Sequence, residues 1–548
     1  MFFKFAIALA FMLSCSSAFC QQSPPDLVLV NGNIFTSDSS HPRTEALAIR
    51  GDRIIAVGSS DHVRDLMGPQ TKQIDLGGRL VVPGFNDAHI HLGVEPADQD
   101  YLEFKSMDPS WGEVSSAIAA EVQKIPKGTI IRGDIGLTVF RGPEATRAAL
   151  DKLAPDHPVI LESLSGHALI LNSAALAKLG ITDRQRDPVG GKYERSADGR
   201  LSGTVREYAV LQVERNLANL TSDAEGLTEL RETFLRATKF GITSMQDMSS
   251  TMSPDRAVAL LEKAPTPIRV RVIRMAMTTP QGRDIAEGQS LLKTHPSPFI
   301  EVSGTKWMLD GTPIELTFAP RQTQSPGTPL ADHSFSDLGL TFPRGEINAM
   351  LQESLKHDDQ LLVHVVGYPA AAAILDAMQT TGGRRVWAGR RLRFEHGDGL
   401  FSDLVPRAKE LGIVVVENPS HFDLGLGPHL FQRSQPLKSL LDAGIPLALG
   451  SDGPMNPFVN MMLACQHPNR PSEAITIEQA VIAYTLTSAY AEFAEKDKGS
   501  LEPGKLADLA VLSQDILQIP LQDLSKTESV YTMVGGKIVY DAKVVAAR

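Results

Sequence analysis

Between residues 79 and 451, short and nearly unbroken apolar runs alternate with stretches whose apolar residues recur at helical spacing. The runs fall at 79–90, 241–247, 268–275, 303–310, 360–366, 391–396, 411–417 and 445–451. A short apolar run without strict alternation marks a strand covered on both faces, as in a parallel sheet. Helical patterns at 225–239, 255–263, 344–356 and 370–379 separate most of these runs. Eight strands with intervening helices predict an α/β fold, a (β/α)8 TIM barrel rather than an open sheet. Residues 93–220 interrupt the alternation after the first strand and read as an insertion that caps the barrel mouth.

The two ends of the chain carry a different pattern. Residues 26–36 alternate apolar and polar positions and break at Asn31-Gly32, a hairpin signal, and 46–58 repeat the pattern around Gly51-Asp52. Near the other end, 507–512 read as one strand and 531–540 as a hairpin around Gly535-Gly536. Neither end has enough strands to bury a core alone. Residues 26–80 and 500–548 are therefore expected to form one discontinuous β-sandwich domain, leaving 81–499 to the barrel.

Residues 1–20 are set apart from all of this. Lys4 supplies a positive charge, Phe5 to Leu13 an apolar stretch too short to span a bilayer, and Ser14, Ser16, Ser17 and Ala18 the small residues of a cleavage region. This is a signal peptide, and it predicts a periplasmic or secreted protein. Cys15 follows Met-Leu-Ser, an imperfect setting for a lipid anchor, which is the less favoured reading. Cys15 and Cys20 lie in or beside the leader, which leaves Cys465 alone, so disulfides are not expected to hold the exported protein together. A charged content of 21% describes an ordinary soluble domain, and a net charge of −11 argues against nucleic acid or an anionic membrane surface as partner. No other stretch reads as an integral membrane segment, and a homo-oligomer is compatible with the composition.

The candidate chemistry sits at the ends of the predicted strands. His89 and His91 are two residues apart and so share one face of the first strand, where two neutral imidazoles suit a divalent transition metal such as zinc. Lys306 lies in the fourth strand, His364 in the fifth, His396 ends the sixth and Asp452 follows the eighth. Singly, each has a structural explanation: a buried histidine bonded to a carbonyl, a lysine at the rim, an aspartate at a strand end. Together they occupy the positions where barrel enzymes keep their active sites.

The chain resembles the amidohydrolase superfamily, and within it the amidohydrolase-3 (YtcJ-like) group. The motifs that carry the likeness are Val82-Pro-Gly-Phe-Asn-Asp-Ala-His-Ile-His, Ser165-Gly-His-Ala-Leu-Ile-Leu-Asn-Ser-Ala-Ala-Leu and Gly241-Ile-Thr-Ser-Met-Gln-Asp. They continue with His364-Val-Val-Gly, Phe394-Glu-His-Gly, Gly450-Ser-Asp-Gly-Pro and Gly499-Ser-Leu-Glu-Pro-Gly-Lys-Leu-Ala-Asp-Leu. The resemblance implies that His89, His91, His364 and His396 are metal ligands and that Asp452 is both a ligand and the catalytic base. It implies that Lys306 is either an N6-carboxylysine bridging two ions or a plain lysine beside one. One departure stands out. Where relatives commonly read Asp-Gly-Ser-Leu-Gly-Ser-Arg, this chain reads Asp310-Gly-Thr-Pro-Ile-Glu-Leu-Thr, so substrate preference does not carry over.

The expected activity is hydrolysis of a C–N bond, amide or N-acyl, in a small molecule by water activated on Zn2+ or another divalent ion. Esterase or lactonase action, or an isomerase or deaminase on the same scaffold, are the alternatives. His167, Asp310 and His421 are candidate substrate contacts, and Glu207 reads as structural. For the leader, N-terminal sequencing of exported protein should begin between about Phe19 and Ser23. A mature protein that retains Met1 would refute the targeting reading.

Overall fold

Eight strands form the centre of the molecule: β1 (Phe85–Ile90), β2 (Ile242–Asp247), β3 (Arg269–Met275), β4 (Ile300–Met308), β5 (Leu361–Val365), β6 (Arg393–His396), β7 (Val414–Glu417) and β8 (Leu447–Leu449). The computed structural model describes residues 23–312, 339–423 and 434–543. The leader and the segment beginning at Pro313 lie outside them.

Each barrel strand pairs in parallel with its neighbour in the chain, so sheet order follows sequence order. The ring is nearly closed. At its C-terminal end, Asp452 N–H donates to the His89 carbonyl at 2.9 Å and Ser451 N–H to Asp87 Oδ1 at 2.8 Å. Apolar runs become strands here because both faces are covered: every residue of Leu361–Val365 and Val414–Glu417 is buried. The outer layer is helical. Asp223–Lys239 begins with a capping box in which Ser222 N–H donates to Glu225 Oε2 at 2.8 Å, and it buries Leu230, Phe234 and Ala237.

The first apolar run is two strands, not one. Leu80–Pro83 belongs to another sheet and β1 begins only at Phe85. Pro83 has no N–H to continue a ladder, and a Cβ on Gly84 would lie 2.2 Å from the Thr243 side chain, so the chain changes sheet there.

Two sheets flank the barrel's N-terminal side. One has four strands centred on Leu27–Val30, which pairs antiparallel with Ala46–Arg50 and parallel with Lys72–Asp75. In the other, Leu80–Pro83 pairs with both Asn33–Phe35 and Leu509–Leu512, so segments about 400 residues apart share one ladder. Leu29, Ile34, Leu47, Val81, Leu509 and Met533 meet in one core, each contributing about 1.5–3 kcal/mol of burial. Asn31-Gly32 is not a hairpin: its flanking strands enter different sheets. Val28 and Val30 pack one way and Leu29 the other, so both faces of that strand are buried and the chain must cross between layers. The signals at Gly51-Asp52 and Gly535-Gly536 do correspond to antiparallel pairs, Ala46–Arg50 with Arg53–Gly58 and Ser529–Val534 with Lys537–Asp541.

Within 93–220 lies a six-stranded mixed sheet, Gly191–Arg195, Leu201–Glu207, Ala168–Leu171, Val159–Ser163, Ile130–Ile135 and Gln99–Leu102 in spatial order. It has apolar clusters of its own on both faces. No helix among the described residues is long and apolar enough to cross a membrane.

Candidate metal centre

His89 and His91 leave the end of β1, His364 lies in β5, His396 ends β6, and Asp452 lies three residues beyond β8. Their rings converge. His89 is 5.4 Å from His91 and 5.3 Å from His396, and His396 is 4.7 Å from His364, between ring centroids. Asp452 faces them, its Oδ1 3.3 Å from His91 Nε2 and its Oδ2 3.7 Å from both His89 Nε2 and His396 Nε2.

Each imidazole has a polar side chain close to its Nδ1. His89 Nδ1 lies 2.7 Å from Glu395 Oε2, His91 Nδ1 2.6 Å from Ser250 Oγ, and His364 Nδ1 2.8 Å from Asp310 Oδ1. His396 Nδ1 lies 3.1 Å from the Asn418 amide, whose oxygen accepts once its nitrogen is turned to the Glu417 and Gly450 carbonyls. An N–H fixed at Nδ1 leaves a lone pair at Nε2. The Nε2 of His364 is buried and has no hydrogen-bond partner among the described residues. A buried nitrogen acceptor left open among histidines and a carboxylate is what a borderline cation such as zinc would satisfy, so the residues present fit a metal.

Burial keeps the imidazoles neutral and therefore able to ligate. It pushes His89 down to about 4, aided by the facing Lys306 charge, and holds His364 and His396 well below the ordinary imidazole value. Burial alone would raise Asp452, but His89 and His91 hold its carboxyl well below the usual carboxylate range. Burial raises Glu395 too, yet Arg393 and His89 outweigh it and hold the carboxyl at about 2. Lys306 is 2% exposed, with its Nζ 3.0 Å from His89 Nε2, and burial lowers its pKa. His396 and Asp452 both adopt left-handed backbone conformations, with φ of 72° and 39°. Such strain, on the order of 1–3 kcal/mol each, concentrates at functional sites.

A sequence profile of the amidohydrolase family matches residues 72–540. The chain belongs to the amidohydrolase family. It is 29% identical to Protein LONG AFTER FAR-RED 3 of Arabidopsis thaliana over 94% of this chain and 91% of that one. It is also 29% identical to the N-substituted formamide deformylase of Arthrobacter pascens, over 94% of this chain and 98% of that one. A crystal structure of an uncharacterized metal-dependent hydrolase from Pyrococcus horikoshii superposes with a TM-score of 0.67 at 20% identity, covering 90% of this chain and 99% of the other, a likeness of fold. The protein is thus a metal-dependent hydrolase of this family, with its candidate His and Asp groups at the C-terminal end of the barrel.

The three candidate substrate contacts have different fates. His167, in the turn after Val159–Ser163, reaches the barrel mouth, with its ring 5.0 Å from that of His364. Its Nδ1 lies 2.6 Å from Glu207 Oε2, so Glu207 steadies the His167 ring. Glu207 is 1% exposed, its backbone is left-handed at φ 53°, and a Cβ on Gly311 would lie 2.2 Å from its Oε1. His421 lies at the mouth, but its Nε2 is 2.9 Å from the Asp452 backbone carbonyl, which it holds from outside. Asp310 is placed differently, facing His364 rather than the open mouth. It is fully buried behind His364 and accepts from the backbone N–H groups of Val366 at 3.1 Å and Gly367 at 2.6 Å, because it lies past the end of β4 and turns under β5.

Ser250, Asn418 and Glu395 were not legible as site residues. Only Glu395 leaves a signal: Arg393 and Glu395 place two charges on one face of a short buried strand whose other face carries Phe394 and His396. Asp310→Ala should weaken metal affinity by about 10–100-fold while the fold persists, and His364→Ala should lower bound metal further. Metal analysis beside thermal melting checks both, and undiminished metal in Asp310→Ala would mean that His364 needs no anchor.

Proposed function

We propose that the protein hydrolyses a carbon–nitrogen bond, amide or N-acyl, in a small molecule. The observation that carries this reading is that His89, His91 and His396 turn Nε2 atoms to within 3.3–3.7 Å of Asp452, with His364 beside His396, at the end of the barrel where the insertion brings His167. The choice of a C–N bond draws support from the N-substituted formamide deformylase, a relative matched over nearly its whole length.

His89, His91, His364, His396 and Asp452 would hold the ion or ions. When bound, a divalent metal supplies Lewis acidity toward a carbonyl and lowers the pKa of water toward about 7. The rest falls to the chain's own groups. Asp452 Oδ, ionised and beside His91, accepts a proton from the attacking water and hands it to the leaving nitrogen. His167, fixed by Glu207, meets the substrate's polar atoms from the side opposite β1 and β8. Zinc suits the nitrogen-rich donor set.

Lys306 decides between one ion and two. An ammonium 3.0 Å from His89 Nε2 would repel a cation, whereas burial favours the neutral amine, the form that adds CO2. We propose that Lys306 is N6-carboxylated, in which case its carbamate would supply oxygen donors to a pair of ions.

Two experiments test the proposal. Metal-loaded enzyme should turn over N-formyl or N-acyl amines in preference to matched esters and lactones, and Asp452→Asn should lower kcat by about 10²–10⁴-fold. Turnover confined to esters, or release of ammonia with the acyl group intact, would replace the reading with an esterase or a deaminase. For the bridge, metal-free protein should regain activity faster with added bicarbonate, and Lys306→Ala should be partly rescued by short carboxylates. Full metal stoichiometry and turnover in Lys306→Ala would leave a single-ion site.

A further inference from the structure

Beneath the metal centre lies a fully buried guanidinium, that of Arg393, whose contacts reach beyond Glu395. Arg393 and Glu395 are each 0% exposed. Arg393 grips Glu395 with two donors, Nε to Oε1 at 2.8 Å and Nη2 to Oε2 at 3.1 Å. The same Nη2 donates to the carbonyl of Ala88, the residue before His89, at 2.7 Å, and Nη1 donates to Gln246 Oε1. Gln246 is in turn fixed by donating to the Ser488 carbonyl at 3.0 Å. The guanidinium is therefore tied to β1, β2 and β6 at once.

Replacing a buried ion pair by apolar side chains of like volume is often neutral or stabilising, so the burial of these two charges is weak evidence for a stabilising role. Geometry gives them another use. Glu395 Oε2 lies 2.7 Å from His89 Nδ1, and Arg393 fixes both the plane of that carboxylate and, through Ala88, the backbone from which His89 projects. We infer that Arg393 is a positioning residue of the metal centre, acting through Glu395 to hold the proton on His89 Nδ1 and the lone pair of Nε2 toward the ion. A lysine could match the charge but not the planar fork, which here serves four acceptors.

The inference rests on the reading of His89 as a ligand, and the test separates the two. Zinc affinity is measured against a chromogenic chelator for wild type, Arg393→Met, Glu395→Gln and the double variant, with His89→Ala as reference and thermal melting as the folding control. Arg393→Met should weaken zinc binding by about 10–100-fold when Glu395 is present, and by less than about 3-fold in the Glu395→Gln background. The electronic spectrum of the cobalt-substituted protein should change in Arg393→Met as it does in Glu395→Gln. An unchanged affinity, or an equal loss in both backgrounds, would make Arg393 a packing residue and overturn the inference. Should Arg393→Met fail to fold, Arg393→Lys carries the same cycle. If His89→Ala itself binds zinc like wild type, the ligand reading fails first.

Discussion

Keeping several imidazoles neutral, fixed and turned to one point inside a barrel is the constraint on which the rest of this structure depends. A histidine ring has two nitrogens, and a ring free to flip or change tautomer would offer either one. Here each Nδ1 has a polar side chain close behind it, Glu395, Ser250, Asp310 or Asn418, which leaves Nε2 on the opposite side of each ring. The acceptors come from four different places: the end of β6, the loop after β2, the turn after β4 and the residue following β7. The ring of strands must therefore be assembled in register before any histidine is correctly aimed.

Closure of the barrel and the geometry of the site share one contact. The bond from Asp452 N–H to the His89 carbonyl joins the last strand to the first and also places the carboxylate opposite the histidines. The left-handed backbone of Asp452 is the cost of that turn, and His421 holds the same residue from the mouth. Below, the returning chain fills the base of the barrel with a buried polar chain. Lys498 pairs with Glu492 at 2.8 Å, and Glu492 accepts from Asn86 at 2.6 Å, on the strand that bears His89. The insertion adds what eight strands alone do not supply, a histidine–glutamate pair approaching from above.

Much of the scaffold was legible because burial on both faces writes itself into composition. Runs such as Leu361-Leu-Val-His-Val have one reading in an alternating chain, and the helical patterns between them fell within a few residues of the observed helices. The errors came where local chemistry is ambiguous. Asn31-Gly32 favours a tight turn in any context, but which sheet each flanking strand joins depends on partners far along the chain. The run 79–90 looked continuous because both halves are apolar, and it is split where Pro83 lacks an N–H and Gly84 lies so close to Thr243 that no side chain fits.

The sequence by itself determined the residue types of the site and their order along the strands, because period-two geometry sends His89 and His91 to one face and a parallel barrel collects strand ends at one mouth. It could not assign Asp310, Ser250, Asn418 or Arg393. Those roles are contacts between residues 2 to about 300 positions apart, and whether a buried carboxylate meets substrate or steadies a ligand depends on which strand packs beside it. Only the tertiary structure decided that, through close packing and the requirement that every buried polar atom find a partner.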